Sequence, residues 1–191
     1  MVPVMDARSY HTDVQLHYRK YKQLAEQAMS QVSDEDFFHS LDDNPNSIAH
    51  IVKHLSGNMR SRWLNFLTSD GEKPDRHRDT EFEITAEDSR TLLLQFWESS
   101  WQTAFSELEA LSPEAFERTV TVRNEKYLVF EAINRNLLHC AYHAGQIVHL
   151  SRYFAGDKWQ TLSIPLGQST ELNRRMRESG GTSHAQKQNP T

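Results

Sequence analysis

Histidines spaced four residues apart are the first feature of this sequence that could support chemistry. They occur twice, as His50 and His54 and as His139 and His143. Residues four apart lie on the same face of a helix, and two imidazoles on one face can bind one metal ion at ~2.0–2.1 Å. Because the chain has ten histidines among 191 residues, the spacing alone is a weak indication of a metal site.

The direction in which these side chains point is the stronger argument. Helical wheels of the two predicted helices place one polar group on the faces that are turned toward the interior. Three inward histidines from two helices would form a facial ligand set with an open coordination position, which is typical of catalytic metal sites. The inward group consists of His54, Asn58, Asn136, His139 and His143.

Two interpretations of this group stay open from the residues alone. In the first, the imidazoles bind a divalent metal; neutral imidazoles suit Zn, Ni, Fe and Cu, and we expect zinc or nickel. In the second, they are core histidines that are hydrogen-bonded to Asn58, Asn136 or a carbonyl. Asn58, Asn136 and Gln146 could orient the imidazoles or contact substrate. His50 falls at the edge of the inward face, and we expect it at the rim rather than as a fourth ligand.

The other candidate residues have simpler interpretations. Cys140 is expected to be a small apolar filler of the core, and His149 is expected at the surface. No HExxH, GxSxG or glycine-rich phosphate loop occurs. We expect exposed histidines at His11, His17, His39, His77 and His184, and core or interface aromatics at Trp63, Trp97, Trp101 and Phe105.

Long stretches without glycine and with apolar residues three and four apart predict an all-α fold. Four long helices suggest a four-helix bundle with long connections between the helices. Asn46 or Ser47 is expected to cap the second helix, a variant capping box at Thr85 and Asp88 to open the third, and Gly156 to end the fourth. The predicted helices are Tyr10–Gln31, Ser47–Ser69, Thr85–Leu111 and Leu128–Phe154.

The segments between and after these helices are predicted to be irregular. ERTVTVRNEKYLVF alternates enough to suggest a weak hairpin, which we treat as a connection because two strands alone are marginal. Trp159, Leu162 and Ile164 could pack against the helices. Residues 1–173 are therefore predicted to form one domain, and residues 174–191 a polar tail that is expected to be disordered.

Composition excludes several classes of protein. The net charge of −5 and the absence of a basic block argue against nucleic-acid binding. No run approaches the ~18 apolar residues of a membrane span, and the first residues do not resemble a signal peptide. The single cysteine excludes an internal disulfide framework. These features predict a cytoplasmic protein that acts on a small molecule.

Two stretches, SIAHIVKHLSGNMRSRW and LLHCAYHAGQIVHLSRY, resemble the DinB/YfiT-like superfamily of metalloenzymes. The resemblance covers roughly residues 10–173, and the tail WQTLSIPLGQSTELN resembles an uncharacterised DinB-like subgroup. It implies one metal ligand in the histidine–leucine pair at His54. It implies two more, His139 and His143, in the run that ends at Gln146.

The resemblance also implies a four-helix bundle, a divalent metal and a homodimer, without DNA chemistry. Characterised relatives include transferases and an isomerase that depend on low-molecular-weight thiols such as bacillithiol or mycothiol, and other relatives are described as metal-dependent hydrolases. Our preferred hypothesis is a transferase that activates such a thiol at the metal. The alternatives are a hydrolase that uses a metal-bound hydroxide, and a stress-response protein that binds metal without catalysis. No acidic residue is predicted on the inward faces of the second or fourth helix, which favours thiol chemistry.

Overall fold

A computed structural model describes residues 6–41 and 46–179. Within these residues the chain is mostly helical and has one small antiparallel sheet. The helices and strands in chain order are α1 (Ala7–Met29), α2 (Asp34–Phe38), α3 (Ile48–Trp63), α4 (Arg90–Glu109), β1 (Thr119–Val122), β2 (Glu125–Leu128), α5 (Val129–Ala155) and α6 (Ser169–Glu178).

The core is formed where the four long helices meet. α3 packs against α4 and α5, and α1 packs against α5. Tyr18, Trp63, Trp97 and Trp101 are each no more than 1% exposed, and Phe105 is buried beside them, as the sequence predicted. Large aromatic side chains dominate the burial energy of a core, so these rings hold α1, α3 and α4 together.

The helices at the two ends of the predicted set, α1 and α5, are confirmed. The Asp6 carboxylate caps α1 by accepting a hydrogen bond from the Ser9 amide at 2.7 Å. Gly156 ends α5 with a φ of 51°, a left-handed backbone that glycine adopts at little cost. In the described residues no helix combines the length and the apolar character that crossing a bilayer requires.

The second predicted helix begins where expected but is shorter. Ser47 caps α3, whereas the predicted end at Ser69 is wrong because α3 ends at Trp63. Asn65 adopts a positive φ of 54°, which interrupts the helix, and its amide donates a hydrogen bond to Glu107. The connection to α4 therefore begins early and is long enough to fold back along α3.

The third predicted helix begins later than expected. Thr85 and Asp88 do make reciprocal contacts, since the Thr85 amide donates to the Asp88 carboxylate at 2.9 Å. They close a turn, however, in which Asp88 also binds Lys53 at 2.9 Å. Ser89 has an extended backbone and caps α4. The prediction that Thr85 and Asp88 open the third helix is therefore wrong, because they close a turn that precedes it.

The hairpin is formed and is fastened to the connection after α3. β1 and β2 pair from Thr119 opposite Leu128 to Val122 opposite Glu125. The Asp70 carboxylate accepts hydrogen bonds from both turn amides, Arg123 at 2.9 Å and Asn124 at 2.9 Å. The segment is therefore more than a connection, because its side chains lie beside the histidine cluster.

The segment after α5 differs from the prediction in part. Trp159 and Leu162 pack against the core, whereas Ile164 is 48% exposed. The stretch predicted to be irregular and then disordered from residue 174 is helical in α6, which ion pairs such as Arg174 with Glu171 and Glu178 support three and four residues apart. α6 buries none of its residues. Residues 180–191, the rest of the predicted tail including His184, lie outside the described residues.

Candidate metal centre

Three histidine side chains converge between α3 and α5. His139 Nε2 lies 3.1 Å from His143 Nε2 and 3.4 Å from His54 Nε2. One ligand atom of each residue lies within 4.8 Å of the others. A tetrahedral metal with nitrogen ligands at ~2.0–2.1 Å separates those nitrogens by about 3.4 Å. The three imidazoles could therefore hold one metal ion with little movement.

Two of the imidazoles are oriented by an acceptor on their other nitrogen. His54 Nδ1 donates a hydrogen bond to Glu81 Oε2 at 2.8 Å, and His143 Nδ1 donates to Gln146 Oε1 at 2.7 Å. Tyr142 accepts from the Gln146 amide nitrogen at 3.3 Å, which sets the amide's orientation. Because each Nδ1 carries the proton, each Nε2 presents a lone pair to the shared point, as metal-binding histidines do.

The third imidazole has no such support. His139 Nδ1 is buried and has no hydrogen-bond partner among the described residues. An unpaired buried nitrogen costs about 1–3 kcal/mol, which a bond from Nε2 to a metal would offset. The core-histidine interpretation expected bonds from the imidazoles to Asn58, Asn136 or a carbonyl. Within the described part of the chain, none of the three imidazoles bonds Asn58, Asn136 or a backbone carbonyl, and only His143 bonds a carbonyl oxygen, that of the Gln146 side chain.

The protonation states suit metal binding. Burial, with the neighbouring imidazoles of His143 and His54, lowers the pKa of His139 to about 3. Burial and the neighbouring His54 lower the pKa of His143 to about 4, although its bond to Gln146 opposes the shift. Both side chains are therefore neutral at pH 7, which is the form that binds a metal.

Glu81 is the site residue that the sequence did not reveal. It comes from a 3-10 turn, Arg78–Phe82, in the connection before α4, and its side chain is buried against α3. Arg76 holds it with two hydrogen bonds, Nε to Oε1 at 2.8 Å and Nη2 to Oε2 at 2.9 Å. Burial raises the pKa of the Glu81 carboxyl, but the bonds from His54 and Arg76 outweigh burial and lower it overall. Glu81 is thus an ionised acceptor for His54.

Nothing in the spacing of Glu81 could have identified it. The inward faces of the two histidine-bearing helices carry no acid, as predicted. The Glu81 carboxylate belongs instead to a polar connection that has no periodic pattern. The same 3-10 turn also supplies Phe82, whose ring stacks on His54 with centroids 4.6 Å apart. One short turn therefore supplies both the residue that orients the His54 imidazole and the ring that covers it.

A cavity of about 320 Å³ opens beside the histidines, between α3, α5, the hairpin and the connection after α3. His54 and His139 form part of its wall. None of the described residues that line it is Asp or Glu. The lining residues are His54, Asn58, Arg62, Trp63, Phe66, Gly71, Arg76, Arg78, Thr121, Val122, Arg123, Ala132, Arg135, Asn136 and His139.

Asn58 and Asn136 form the polar floor of this cavity rather than a support for the imidazoles. Asn136 Oδ1 accepts hydrogen bonds from Tyr18 at 3.0 Å and Trp63 at 2.8 Å. Its amide nitrogen donates to Asn58 Oδ1 at 3.0 Å. The two asparagines tie α1, α3 and α5 together where they line the cavity.

The remaining predicted residues lie apart from the ligand set. His50 Nδ1 bonds Ser47 Oγ at 2.7 Å and is not among the converging histidines. His149 is exposed, as predicted. Cys140 is fully buried, and burial raises the pKa of its thiol, so it is a core residue.

Four of the remaining histidines lie in the described residues, and two of them were misjudged. His39 and His77 are exposed, as expected. His11 and His17 are partly buried instead. His11 Nε2 lies 2.7 Å from the Leu108 carbonyl oxygen, so it serves the contact between α1 and the end of α4. Neither lies in the converging set.

Residues 6–168 match the family model described as a protein of unknown function (DUF1572), and the chain belongs to that family. No curated protein and no solved structure matches the chain. The family gives no activity, so the function has to be argued from the site itself.

Proposed function

We propose that this member of the DUF1572 family is an enzyme that binds a divalent metal, zinc or nickel, at His54, His139 and His143 and transfers a group to or from a small thiol. The observation that carries the proposal is the convergence of three imidazoles, two of which, His54 and His139, line a cavity. Three protein ligands leave a coordination position for another molecule.

A metal held by neutral imidazoles would supply a positive charge that lowers the pKa of a thiol and stabilises its thiolate. Residues of the chain would orient the histidines, shield them from solvent and line the space for the substrate. Glu81 and Gln146 keep His54 and His143 in the tautomer that binds. Phe82 shields the His54 ring from solvent by stacking on it. Asn58 and Asn136 present a fixed polar floor to the substrate.

The cavity favours thiol chemistry over hydrolysis. Hydrolysis at a metal usually needs an acid or base nearby to move protons to and from the reacting groups, and no Asp or Glu is among the described residues that line the cavity. Glu81, the nearest carboxylate to the ligands, has both oxygens engaged by His54 and Arg76. Its lowered pKa makes it a poor base. A divalent metal at the site would lower the pKa of a bound thiol, and the proton would pass to solvent.

The third hypothesis, a stress-response protein that binds metal without catalysis, loses its specific support. A fourth ligand from His50 would favour it by closing the coordination shell. The His50 amide instead donates to Ser47 Oγ, which caps α3, and His50 Nδ1 lies 2.7 Å from the same oxygen. An open ligand set beside a cavity is more typical of catalytic sites than of structural ones.

The wider proposals follow from the resemblance to the DinB/YfiT-like superfamily. They are that α1, α3, α4 and α5 form its four-helix bundle, that the protein acts in the cytoplasm on a small molecule, and that two copies associate as a homodimer. Light scattering at tens of micromolar tests the dimer. We expect twice the chain mass of 22.2 kDa, and a mass of one chain contradicts it.

The thiol proposal is tested with cobalt-substituted protein in a Cys140→Ala background, which removes the only thiol of the chain. Addition of a small thiol is expected to produce a sulfur-to-cobalt charge-transfer band, with release of a proton near neutral pH. The matched control is the same titration with an alcohol of the same shape. No band with any physiological thiol, together with ester or amide turnover that follows a titration near pH ~7, would instead identify a hydrolase. The absence of both the charge-transfer band and the turnover would favour the non-catalytic hypothesis.

A further inference from the structure

The cavity beside the histidines is lined by five arginines and, within the described residues, by no acid. This composition contrasts with the chain as a whole, whose net charge is −5. Arginine side chains cluster where a planar anion is bound, because the guanidinium fork matches carboxylate and phosphate oxygens. The five are Arg62, Arg76, Arg78, Arg123 and Arg135.

Two of the five are committed to the protein itself. Arg76 binds Glu81 through two hydrogen bonds and Glu72 at 3.2 Å, and its side chain is 4% exposed. Arg62 binds Glu72 at 2.9 Å and also donates to the Gly71 carbonyl. Both therefore shape the wall and neutralise buried carboxylates, and neither is free to take a ligand.

The other three guanidinium groups have N–H donors that are available to bind a ligand. Arg135, one turn before His139 on α5, lies over the Tyr127 ring at 5.4 Å, and no carboxylate of the described residues pairs with it. Arg123, in the hairpin turn, uses only its Nε on Glu72. Arg78 lies over the Phe82 ring at 5.1 Å, and its nearest carboxylate, 3.9 Å away, belongs to the 98%-exposed Asp79.

The charges around the cavity do not cancel. Three carboxylates, those of Glu72, Glu81 and Asp79, form ion pairs with four of the five guanidinium groups, and Arg135 has none. Five positive charges against three negative ones leave an excess of two. Like charges lining one cavity repel one another, and a bound anion removes that repulsion. A cavity with walls of one sign also raises the local concentration of ligands of the opposite sign.

We propose that the substrate or co-substrate of this site is a small oxyanion, a molecule with a carboxylate or phosphate group that binds Arg135, Arg123 and Arg78 while its reactive end reaches His54 and His139. This inference rests on the proposed function and narrows it to anionic thiols or anionic acceptors. A volume of about 320 Å³ corresponds to about ten water molecules at ~30 Å³ each, so the ligand is small.

The first experiment tests the anion without any thiol. Zinc-loaded protein is titrated by calorimetry with succinate, with inorganic phosphate and with the neutral analogue succinamide. We expect one of the two anions to bind at least about tenfold more tightly than succinamide, as a charge-assisted hydrogen bond implies, and to weaken as salt is added. The anion that binds more tightly identifies the group that the arginines recognise.

Variants locate the binding site. Arg135→Gln should weaken anion binding about tenfold or more, and Arg78→Gln should weaken it as well. Arg152→Gln is the matched control, because it removes the same charge from an exposed position on the same helix, away from the cavity. Equal affinity for succinate, phosphate and succinamide overturns the inference, and so does an equal loss in Arg135→Gln and Arg152→Gln.

A second titration separates this inference from the thiol function. Cobalt-substituted Cys140→Ala protein is titrated with mercaptosuccinate and with 2-mercaptoethanol, and the charge-transfer band should saturate at a concentration at least about tenfold lower for the anionic thiol. A band of equal affinity for both thiols would contradict the anion inference and leave thiol chemistry intact. Binding of succinate that depends on Arg135, without a band from either thiol, would retain the anion site and reject the thiol function.

Discussion

Gly57 of α3 lies against the Glu81 carboxylate, and the space between the Gly57 backbone and the carboxylate is too small for a side chain. A Cβ atom at position 57 would lie 2.3 Å from Glu81 Oε1 and 2.7 Å from Glu81 Cδ, distances that real contacts do not reach. The carboxylate cannot simply move aside, because Arg76 and His54 hold it from the other directions. Gly57→Ala should therefore displace Glu81 and release the Nδ1 atom of His54.

The magnitude follows from two opposing effects. Alanine in place of a glycine inside a helix stabilises the helix by about 1 kcal/mol. Breaking a buried ion pair costs about 3–5 kcal/mol, and the side chains of Glu81 and Arg76 are only 9% and 4% exposed. The net loss in the free energy of unfolding should be about 2–4 kcal/mol. Loss of the acceptor behind a ligating imidazole typically weakens metal binding 10–100-fold.

The assay combines urea unfolding of the metal-free protein with zinc competition against a chromophoric chelator. Gly145→Ala is the control, because it makes the same substitution in the interior of α5, where an added Cβ would meet no atom within 4 Å. The control should be slightly stabilised and should bind zinc normally. If Gly57→Ala is as stable as Gly145→Ala and binds zinc with unchanged affinity, the role assigned to Glu81 is wrong.

Three further predictions concern the surroundings of the site. Asn136→Ala should lower the free energy of unfolding by roughly 3 kcal/mol, because it leaves the buried polar groups of Trp63 and Asn58 without their partner and leaves Tyr18 only the Ile133 carbonyl; an unchanged urea midpoint would contradict this. Hydrogen bonds from three backbone amides offset the effect of burial and lower the pKa of Asp70 to about 2. The stability that its charge provides is therefore complete above its unfolded pKa of 3.8 and is lost as pH falls toward about 2. The difference in stability between wild type and Asp70→Asn should accordingly be largest near pH 7 and should narrow below about pH 4, and a difference that does not change with pH would refute the assignment. Cys140 should not react with a thiol reagent until the protein is unfolded, because it is fully buried and burial raises the pKa of its thiol; rapid labelling of native protein would show otherwise.

The parts of the fold that the sequence predicted are those with a long apolar period. α5 could be placed within a residue at each end, and its period also gave the inward direction of His139 and His143. The end of α3 could not be predicted, because it depends on Asn65, whose positive φ is supported by a bond to Glu107 on another helix. Sequence patterns report local preference, and such an ending is set by a distant partner.

The candidate site shows the same division. The three histidines lie on helices and follow helical spacing, so the sequence could predict that they converge. Glu81 and the arginines that line the cavity lie largely on the connection and the hairpin, which have no period that relates them to the histidines. α6 was missed for a different reason, since its short-range ion pairs stabilise a helix in which no residue is buried.

The metal content of single histidine variants tests the central claim most directly. Each purified protein is loaded with zinc, passed through a desalting column and measured by mass spectrometry of the metal. We expect about one zinc ion per chain in the wild type, and little in His54→Ala, His139→Ala and His143→Ala, because two imidazoles retain too little of the chelate. His50→Ala and His149→Ala should keep the wild-type content. Stoichiometric zinc in His143→Ala would contradict the three-histidine site. Loss of zinc from the control variants His50→Ala and His149→Ala would contradict it too.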